Sequence, residues 1–278
     1  MASRQSIQLG QVQETMLIPL YARAVETLRK QPILKDPKAV EMVESIDWDF
    51  QRFRQRWRVV GCVLRSAMFD EWVKAFLSRH PEGTVVEIGT GLNTRFERLD
   101  NGTVHWFDLD LPDVVELRRK FFTDSGRRVT LACSVLDSGW MAAVRLSPGP
   151  YCFVAETVFV YLTEQEVKTA LAQIAGNFPR ASIAFDTATL RAITHANKDL
   201  ARRKLAARFA WACEEPREIE RWKIGLRLVE SRTLADFPDS LRSRLSLPMR
   251  AVFRVFAKLF PKHMKAYQLN LFAGQSEA

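Results

Sequence analysis

The change in hydrophobic period at residue 84 is the feature of this sequence that most constrains its fold. Before that point, apolar residues recur at helical spacing over residues 15–30 and 57–76. After it, short apolar runs alternate with helical stretches, a pattern that predicts a parallel sheet with helices on both faces. The runs typical of strands are residues 84–88, 104–109, 129–135, 151–155 and 181–185, and the helical stretches are residues 111–122 and 163–177.

Two more strands are predicted late in the chain, at residues 225–230 and 265–272, and the last should run antiparallel. The sequence therefore predicts an α/β fold with a seven-stranded, mostly parallel, Rossmann-like sheet. We expect residues 1–80 to form an N-terminal helical cap and residues 81–278 to form the core. The core should carry helical insertions near its C-terminal strands, at residues 191–223 and 240–262.

The composition is that of a soluble globular protein, with 47% hydrophobic and 26% charged residues. No apolar run reaches the roughly 18 residues that a membrane-spanning helix needs. The N-terminus lacks the basic-then-apolar pattern of a secretion signal, so a cytoplasmic protein is expected. Neither a disulfide framework nor a metal site is predicted, because the four histidines are dispersed and no C-x-x-C pair occurs among Cys62, Cys133, Cys152 and Cys213.

The basic charge of the protein is concentrated in one region. The chain has a net charge of +9, and residues 191–265 alone hold 18 basic and 8 acidic residues. Such a region either is a solvated face or favours an anionic partner, such as an anionic substrate, an acidic carrier protein, anionic lipid or nucleic acid. Nucleic acid is not favoured, because the region is weak in interleaved aromatic residues and known binding motifs. Residues 247–260 form a basic amphipathic stretch that either packs on the core or lies on a membrane surface.

A glycine turn, E-I-G-T-G-L at residues 87–92, follows the first predicted strand. Glycines allow the backbone to turn tightly and to approach a ligand closely. The third glycine of a dinucleotide fingerprint and the lysine of a Walker motif are both missing, so phosphate binding is poorly supported. The carboxylate of Glu87, two residues before Gly89, suits a cationic ligand such as the ammonium group of S-adenosylmethionine.

An acidic residue ends the second predicted strand, in the sequence F-D-L-D-L-P at residues 107–112. Asp110 lies 21 residues after Gly89, the offset at which a strand-end carboxylate reaches ribose hydroxyls. A nicotinamide cofactor would satisfy the same spacing, so an oxidoreductase stays open as a rival. The missing third glycine and the acid at Glu87 favour S-adenosylmethionine.

Polar residues also follow the next three predicted strands. Ser134 and Val135 lie at the corner that holds the adenine edge in such folds. Glu156 follows the fourth strand, in the crevice where the reacting methyl group should lie. Asp186 follows the fifth strand and should face the same crevice.

Four motifs, in order along the chain, resemble those of the leucine carboxyl methyltransferase family, which includes the tetracenomycin-type polyketide O-methyltransferases. R-[ST]-x-x-x-D is matched at residues 65–70, and E-x-G-x-G-L-x-T-R at residues 87–95. [FY]-x-x-D-x-P is matched at residues 107–112, and A-E-x-x-x-x-Y-L-T at residues 155–163. The similarity covers roughly residues 15–187.

The resemblance implies a class I methyltransferase fold, S-adenosyl-L-methionine as cofactor and S-adenosyl-L-homocysteine as product. It implies that Arg65 binds the methionine carboxylate of the cofactor, a planar bidentate fit. The backbone at Gly89 and Gly91 would pass under the cofactor with Glu87 nearby, and Asp110 would take the ribose hydroxyls.

The resemblance also implies cofactor contacts at the strand ends, by Leu111, Ser134, Val135, Glu156 and Thr157. The chain departs from the family at two positions. The family often has Asp where Asn93 stands and usually has Asp where Ser134 stands. Because Ser134 replaces that Asp, adenine recognition should depend more on Asp137 or on a backbone carbonyl.

The sequence leaves open whether the methylated group of the acceptor is a carboxylate or a phenol. A carboxylate is ionised at neutral pH and needs only a cation to hold it, for which Arg23 and Arg191 are candidates. A phenol has an unperturbed pKa of about 10 and would need a base, for which Asp186 and His195 are candidates.

We expect a small natural-product-like carboxylic acid that becomes a methyl ester, because the basic region favours an anionic acceptor. The same region would suit an acidic carrier protein that delivers the acceptor. A phenol O-methyltransferase and a non-catalytic cofactor-binding protein are the alternatives. The sequence does not indicate an oligomeric state.

Overall fold

A seven-stranded sheet organises the chain in the computed structural model, which describes residues 5–6, 13–53 and 56–275. Its strands are β1 (Thr84–Ile88), β2 (His105–Asp110), β3 (Arg128–Ala132), β4 (Tyr151–Ala155), β5 (Ser182–Ala188), β6 (Leu226–Arg232) and β7 (Tyr267–Gly274). Their spatial order is β3-β2-β1-β4-β5-β7-β6. Among the described residues of this sheet, β7 pairs antiparallel with both of its neighbours, β5 and β6, and all the other strand pairs are parallel. The predicted seven-stranded, mostly parallel sheet is therefore confirmed, including the antiparallel last strand.

Helices precede the sheet and connect its strands. They are α1 (Leu17–Thr27), α2 (Pro37–Ser45), α3 (Arg56–Arg79), α4 (Arg95–Leu99), α5 (Pro112–Arg118), α6 (Trp140–Val144), α7 (Glu164–Asn177), α8 (Leu190–Arg202), α9 (Asp239–Arg242), α10 (Leu247–Leu259) and α11 (Pro261–Met264). α7 begins at a capping box, in which the Thr163 hydroxyl accepts from the Glu166 N–H and the Glu166 carboxylate accepts in return. A two-residue parallel pair joins Gln5–Ser6 to Ile46–Asp47.

Successive side chains of β1 belong to two different apolar clusters, one on each face of the sheet. Val85 belongs to the apolar cluster that includes α3, whereas Val86 and Ile88 belong to the cluster that includes α6 and α7. Because successive side chains of a strand point to opposite faces, Glu87 shares the α3 face with Val85. The carboxyl ends of the parallel strands meet at one edge of the sheet, where ligands bind in open α/β folds.

α1 and α2 cover this carboxyl edge. Their apolar side chains form a third cluster with Leu92 from the turn after β1 and with Leu117 from α5. α3 instead packs on the sheet, since Val63 and Phe69 join Val85 in one cluster. The division of the chain at residue 80 into a cap and a core stays a prediction.

The insertion at residues 191–223 is less helical than the sequence predicts. α8 ends at Arg202, because Leu205 donates its N–H back to the Leu200 carbonyl and Lys204 takes a left-handed φ of +59°, both typical of a helix end. No α-helix follows within residues 203–223, which hold one 3₁₀ helix, Pro216–Trp222. The second insertion carries α9, α10 and α11 between β6 and β7. Within the part of the chain that the structure describes, no helix is both long and apolar enough to cross a bilayer.

Candidate active site

A cavity of about 340 Å³ opens at the carboxyl edge of the sheet. The turns after four consecutive strands of the sheet order contribute to its lining. Gly89 and Gly91 follow β1, Asp110 ends β2, Ser134 follows β3 and Glu156 follows β4. The volume is in the range of small-molecule sites in proteins.

The turn after β1 requires glycine at its first position. Gly89 and Gly91 have φ values of +61° and +49°, in the left-handed region that favours glycine. A Cβ atom at Gly89 would lie 2.4 Å from Cγ2 of Val158, far inside van der Waals contact. The backbone of this turn can therefore lie directly against a bound molecule.

The Asp110 carboxylate is fixed at the wall of the cavity by two backbone donors. The N–H of Gly91 donates to Oδ2 at 2.6 Å, and the N–H of Leu111 donates to Oδ1 at 2.8 Å. Burial raises the pKa of Asp110 above its usual value, although both hydrogen bonds oppose that shift. Each carboxylate oxygen can accept a further hydrogen bond, so the group fits a vicinal diol such as a ribose.

The corner after β3 is held together by its own side chains. Ser134 donates its N–H to Oδ2 of Asp137 at 2.9 Å, and the Leu136 N–H donates to Oγ of Ser134 at 3.2 Å. Ser134 and Val135 line the cavity, but Asp137 does not. Of the two expected adenine partners, Asp137 lies outside the lining, where its carboxylate accepts from Ser134, and a backbone carbonyl stays a prediction.

Arg65, from α3, and Glu156, from the turn after β4, contact each other at the cavity wall. Nε of Arg65 donates to Oε1 of Glu156 at 2.8 Å, and the Ser66 hydroxyl donates to the same oxygen at 2.8 Å. Nη2 of Arg95 donates to Oε2 at 2.6 Å. Burial alone would raise the pKa of Glu156, but the charges of Arg65 and Arg95 and these hydrogen bonds lower it to about 2.

Glu87 does not line the cavity, which corrects its assignment beside the cofactor. Its side chain lies on the α3 face of β1, where Oε1 accepts from Nδ2 of Asn93 at 2.9 Å and from Nη1 of Arg95. Arg95 also donates to Asp70 at 2.8 Å and is fully buried. Glu87 and Asp70 thus belong to an ion network beneath the glycine turn, and burial raises the pKa of Glu87.

Asp186 lies behind the cavity and is not among the residues that line it. Its carboxylate accepts from the N–H of Thr157 at 2.6 Å and from the hydroxyl of Tyr267 at 2.5 Å. Thr157 lines the cavity and has a left-handed φ of +57°, which these bonds help to hold. The candidate base Asp186 therefore supports a wall residue rather than facing the cavity.

The other three residues considered for binding or deprotonating the acceptor lie in different places. Arg23 lines the cavity, but Nε donates to Asp36 at 2.8 Å and Nη2 donates to the Leu92 carbonyl at 2.8 Å. Arg191 and His195 are exposed on α8 and do not line the cavity, which corrects both assignments. The helix turns Ile193 and Leu200 inward instead, so the two polar side chains point away from the core.

One half of the cavity was not found from the sequence. It is apolar and aromatic, and its lining includes Met16, Ile18, Leu162, Leu200 and Phe209. Tyr161 and Thr15 are polar residues of this half. The Tyr161 hydroxyl donates to Oγ1 of Thr15 at 3.0 Å, and the Tyr161 ring packs edge-on against Phe209 at 4.9 Å. The signal available was Tyr161 itself, which belongs to the A-E-x-x-x-x-Y-L-T motif at residues 155–163.

Comparison with known proteins decides the family. The sequence profile described as leucine carboxyl methyltransferase matches residues 16–175, more than half of the chain. The chain belongs to the leucine carboxyl methyltransferase family. It is a methyltransferase that depends on S-adenosyl-L-methionine, as the motifs and the strand-end residues indicated.

Two relatives of this family member span most of its length. The tetracenomycin polyketide synthesis O-methyltransferase TcmP of Streptomyces glaucescens is 32% identical over 236 residues, which are 84% of this chain and 87% of that protein. The S-adenosyl-L-methionine-dependent methyltransferase dpfgK of Gibberella zeae is 26% identical over 249 residues, 81% of this chain and 83% of that protein.

A solved structure supports the fold of this family member independently. A DUF574 family protein from Streptomyces avermitilis superposes with a TM-score of 0.57, covering 94% of this chain and 97% of that chain. The two are 12% identical, so this likeness bears on the fold alone. In the ranges that the structure describes, no group of three or more His, Cys, Asp or Glu side chains is arranged to hold a metal ion.

Proposed function

We propose that the protein transfers a methyl group to the carboxylate oxygen of a small, natural-product-like acid and so forms a methyl ester. The observation that carries the proposal is the continuity of the cavity. It runs from the strand-end residues Gly89, Asp110 and Glu156 to the apolar half that contains Tyr161. A cofactor and an acceptor can therefore lie side by side, and the naming of TcmP as a polyketide O-methyltransferase supports an acceptor of that general kind.

In this proposal the strand ends hold the cofactor. The Asp110 carboxylate accepts from the ribose hydroxyls, and the backbone at Gly89 and Gly91 lies under the nucleoside. Ser134 and Val135 border the adenine. When bound, S-adenosylmethionine supplies a methyl group that is already activated for transfer to an oxygen.

Arg65 provides the group that fits the methionine end. Its guanidinium lines the cavity, and the pair with Glu156 fixes its orientation through Nε. The terminal nitrogens of an arginine held in this way suit bidentate binding of a carboxylate. Thr157, Leu111 and Glu156 complete the proposed contacts on this side.

The titratable side chains of the lining favour a carboxylate acceptor over a phenol. Among the described residues that line the cavity there is no histidine. The Glu156 carboxyl, with its pKa near 2, is too weak a base to deprotonate a phenol. A carboxylate is ionised at neutral pH and needs orientation rather than a base.

Tyr161 is the residue that we propose to orient the acceptor. Burial raises the pKa of its hydroxyl, which therefore stays protonated, and on acceptor binding its single proton would turn from Oγ1 of Thr15 to an acceptor oxygen. Arg23 is a weaker candidate for this role, because its guanidinium already donates to Asp36 and Leu92. The apolar lining around Tyr161 suits the carbon skeleton of the acceptor.

The stability of the methylated product in alkali distinguishes ester formation from ether formation. The purified protein is incubated with methyl-labelled S-adenosylmethionine and matched pairs of aromatic acceptors, one with a carboxyl group and the other with only a phenolic hydroxyl. We expect S-adenosylhomocysteine to form with the acids and the labelled product to lose its methyl group as methanol in mild alkali, as esters do. Label that is stable to alkali would identify an ether and contradict the proposal. Cofactor binding by calorimetry without turnover of any acceptor would instead indicate a non-catalytic binding protein.

A further inference from the structure

Many of the large apolar side chains of α10 are exposed to solvent. Met249 and Phe253 face the core, where the Phe253 ring packs edge-on against Phe237 at 5.0 Å. A second set of large apolar side chains continues from this stripe around the helix into solvent. These residues, here called the α10 ridge, are Val252, Val255, Phe256, Leu259 and Phe260, and they are 42% to 64% exposed.

A stripe of cations lies next to the ridge. Residues 240–265 contain seven arginines and lysines and no aspartate or glutamate. Arg254 and Lys258 are four residues apart on α10 and so lie on one side of it, and Lys262 follows in α11, after the break at Phe260. Among the described residues, no carboxylate forms an ion pair with any of these three. Within the part of the chain that the structure describes, the positive charge of these three side chains is therefore not neutralised by a carboxylate.

The positive charge beside the α10 ridge limits the kinds of partner that can bind it. A second copy of the chain is disfavoured, because a two-fold interface pairs the same patch with itself and would bring like charges together. Large apolar side chains beside a lysine and arginine stripe are typical of helices that lie in the plane of a bilayer surface.

We propose that the α10 ridge binds an anionic phospholipid surface. The apolar side chains enter the region between headgroups and acyl chains, and Arg254, Lys258 and Lys262 lie at the level of the lipid phosphates. α10 lies between β6 and β7, and none of the residues that line the cavity belongs to it.

Vesicle flotation of the full chain tests the proposal. Vesicles contain either phosphatidylcholine alone or phosphatidylcholine mixed with phosphatidylglycerol, and binding is measured at low and high salt. We expect binding to the mixed vesicles that is lost at high salt, and little binding to phosphatidylcholine alone. The double variant Arg254→Glu/Lys258→Glu should bind the mixed vesicles at least about tenfold more weakly, since each cation near an anionic surface contributes to the attraction.

Two further variants test whether vesicle binding depends on the α10 ridge or on positive charge in general. Phe256→Gln/Leu259→Gln should also lose vesicle binding, because it removes the apolar anchor while keeping every cation. Arg119→Glu/Lys120→Glu reverses two exposed cations next to α5 and should bind as the original protein does. All variants should keep the melting temperature and the cofactor affinity of the original chain.

Absence of binding to the mixed vesicles, or equal binding by the Arg254→Glu/Lys258→Glu variant, would overturn the proposal. A purified acidic acyl carrier protein is tested in parallel. If it binds in a manner that the same variant abolishes while the vesicles do not bind, the ridge is a protein-docking site and the lipid proposal is wrong. Neither outcome bears on methyl transfer, which is measured with soluble acceptors.

Discussion

Arg65 and Glu156 form an ion pair at 2.8 Å although they lie 91 positions apart in the sequence. The pair joins α3 to the turn after β4, and both side chains line the cavity. Ser66 and Arg95 donate to the same carboxylate. Three of the four sequence motifs therefore meet at one carboxylate, which fixes the guanidinium that we propose to bind the cofactor.

The charge of Glu156 should stabilise the folded protein in a pH-dependent way. Its pKa is lowered to about 2 in the folded state, so its contribution is present above the ordinary glutamate pKa and is lost as the pH falls toward 2. A shift of this size corresponds to about 3 kcal/mol. We expect Glu156→Gln to lower the free energy of unfolding by about 3 kcal/mol at neutral pH, because Arg65 and Arg95 lose their countercharge.

Urea denaturation at a series of pH values checks this. The difference between the original protein and Glu156→Gln should shrink as the pH falls from about 4.5 toward about 2, because the unfolded chain takes up the proton first and the folded protein loses the charge only near pH 2. Glu44→Gln, at an exposed position near the end of α2, is the matched control and should change little at any pH. A difference that stays constant with pH would contradict a lowered pKa at Glu156.

Asp110→Ala should weaken the affinity for S-adenosylmethionine by about tenfold or more. The carboxylate is aimed by the Gly91 and Leu111 N–H groups, and hydrogen bonds to a charged group typically contribute about 1.5–3 kcal/mol. Isothermal titration with the cofactor measures the change. Glu116→Ala, at an exposed position of α5 outside the cavity lining, should leave the affinity unchanged. Equal affinities for the original protein and Asp110→Ala would remove Asp110 from the cofactor site.

Gly89→Ala should destabilise the turn after β1 and abolish tight cofactor binding. The left-handed φ of +61° costs a non-glycine residue about 1–2 kcal/mol. The new Cβ would also collide with Cγ2 of Val158, 2.4 Å away. Melting temperature and cofactor affinity should both fall, and Val158→Ala in the same chain should recover only the steric part. Gly139→Ala is the control, since its φ is −62° and a Cβ there meets nothing within 4 Å.

The strand-end residues of the site could be predicted because the topology of a parallel sheet collects them. Once the alternation of strands and helices is recognised, Gly89, Asp110, Ser134 and Glu156 must lie at one edge, whatever the details of packing. Glu87 shows the limit of that argument. It precedes the same edge, yet strand alternation turns it toward α3, as the positions of Val86 and Ile88 on the other face could have indicated.

The acceptor side of the cavity could not be predicted in the same way. Met16, Leu200 and Phe209 come from three segments that no strand order brings together. Their proximity depends on how α1 and α8 pack on the edge of the sheet, which helical periodicity alone does not determine. Arg191 and His195 are candidates by residue type alone, but the register of α8 turns both toward solvent.

Tyr161→Phe should impair use of the acceptor while leaving the cofactor site intact. The variant keeps the edge-on contact with Phe209 and removes only the hydroxyl. Loss of one hydrogen bond to an ionised acceptor should lower kcat/KM for the acceptor by about tenfold, whereas cofactor affinity should stay within about twofold. Steady-state kinetics with the acceptor varied, together with calorimetry of the cofactor, separates the two. A tenfold loss of cofactor affinity with unchanged acceptor kinetics would place Tyr161 at the cofactor instead.

The dependence of turnover on pH distinguishes the two acceptor chemistries without any substitution. A carboxylic acid is fully ionised above about pH 6, so kcat should be nearly constant from about pH 6 to about pH 9. A phenol has a pKa of about 10, so its ionised fraction would rise roughly tenfold for each pH unit over the same range, and a rate that depends on the free phenolate would rise with it. The measurement uses one accepted acid at saturating cofactor, with the thermal stability of the protein followed at each pH as the control. A rate that climbs steeply with pH while the protein stays folded would contradict ester formation and favour base-assisted transfer to a hydroxyl.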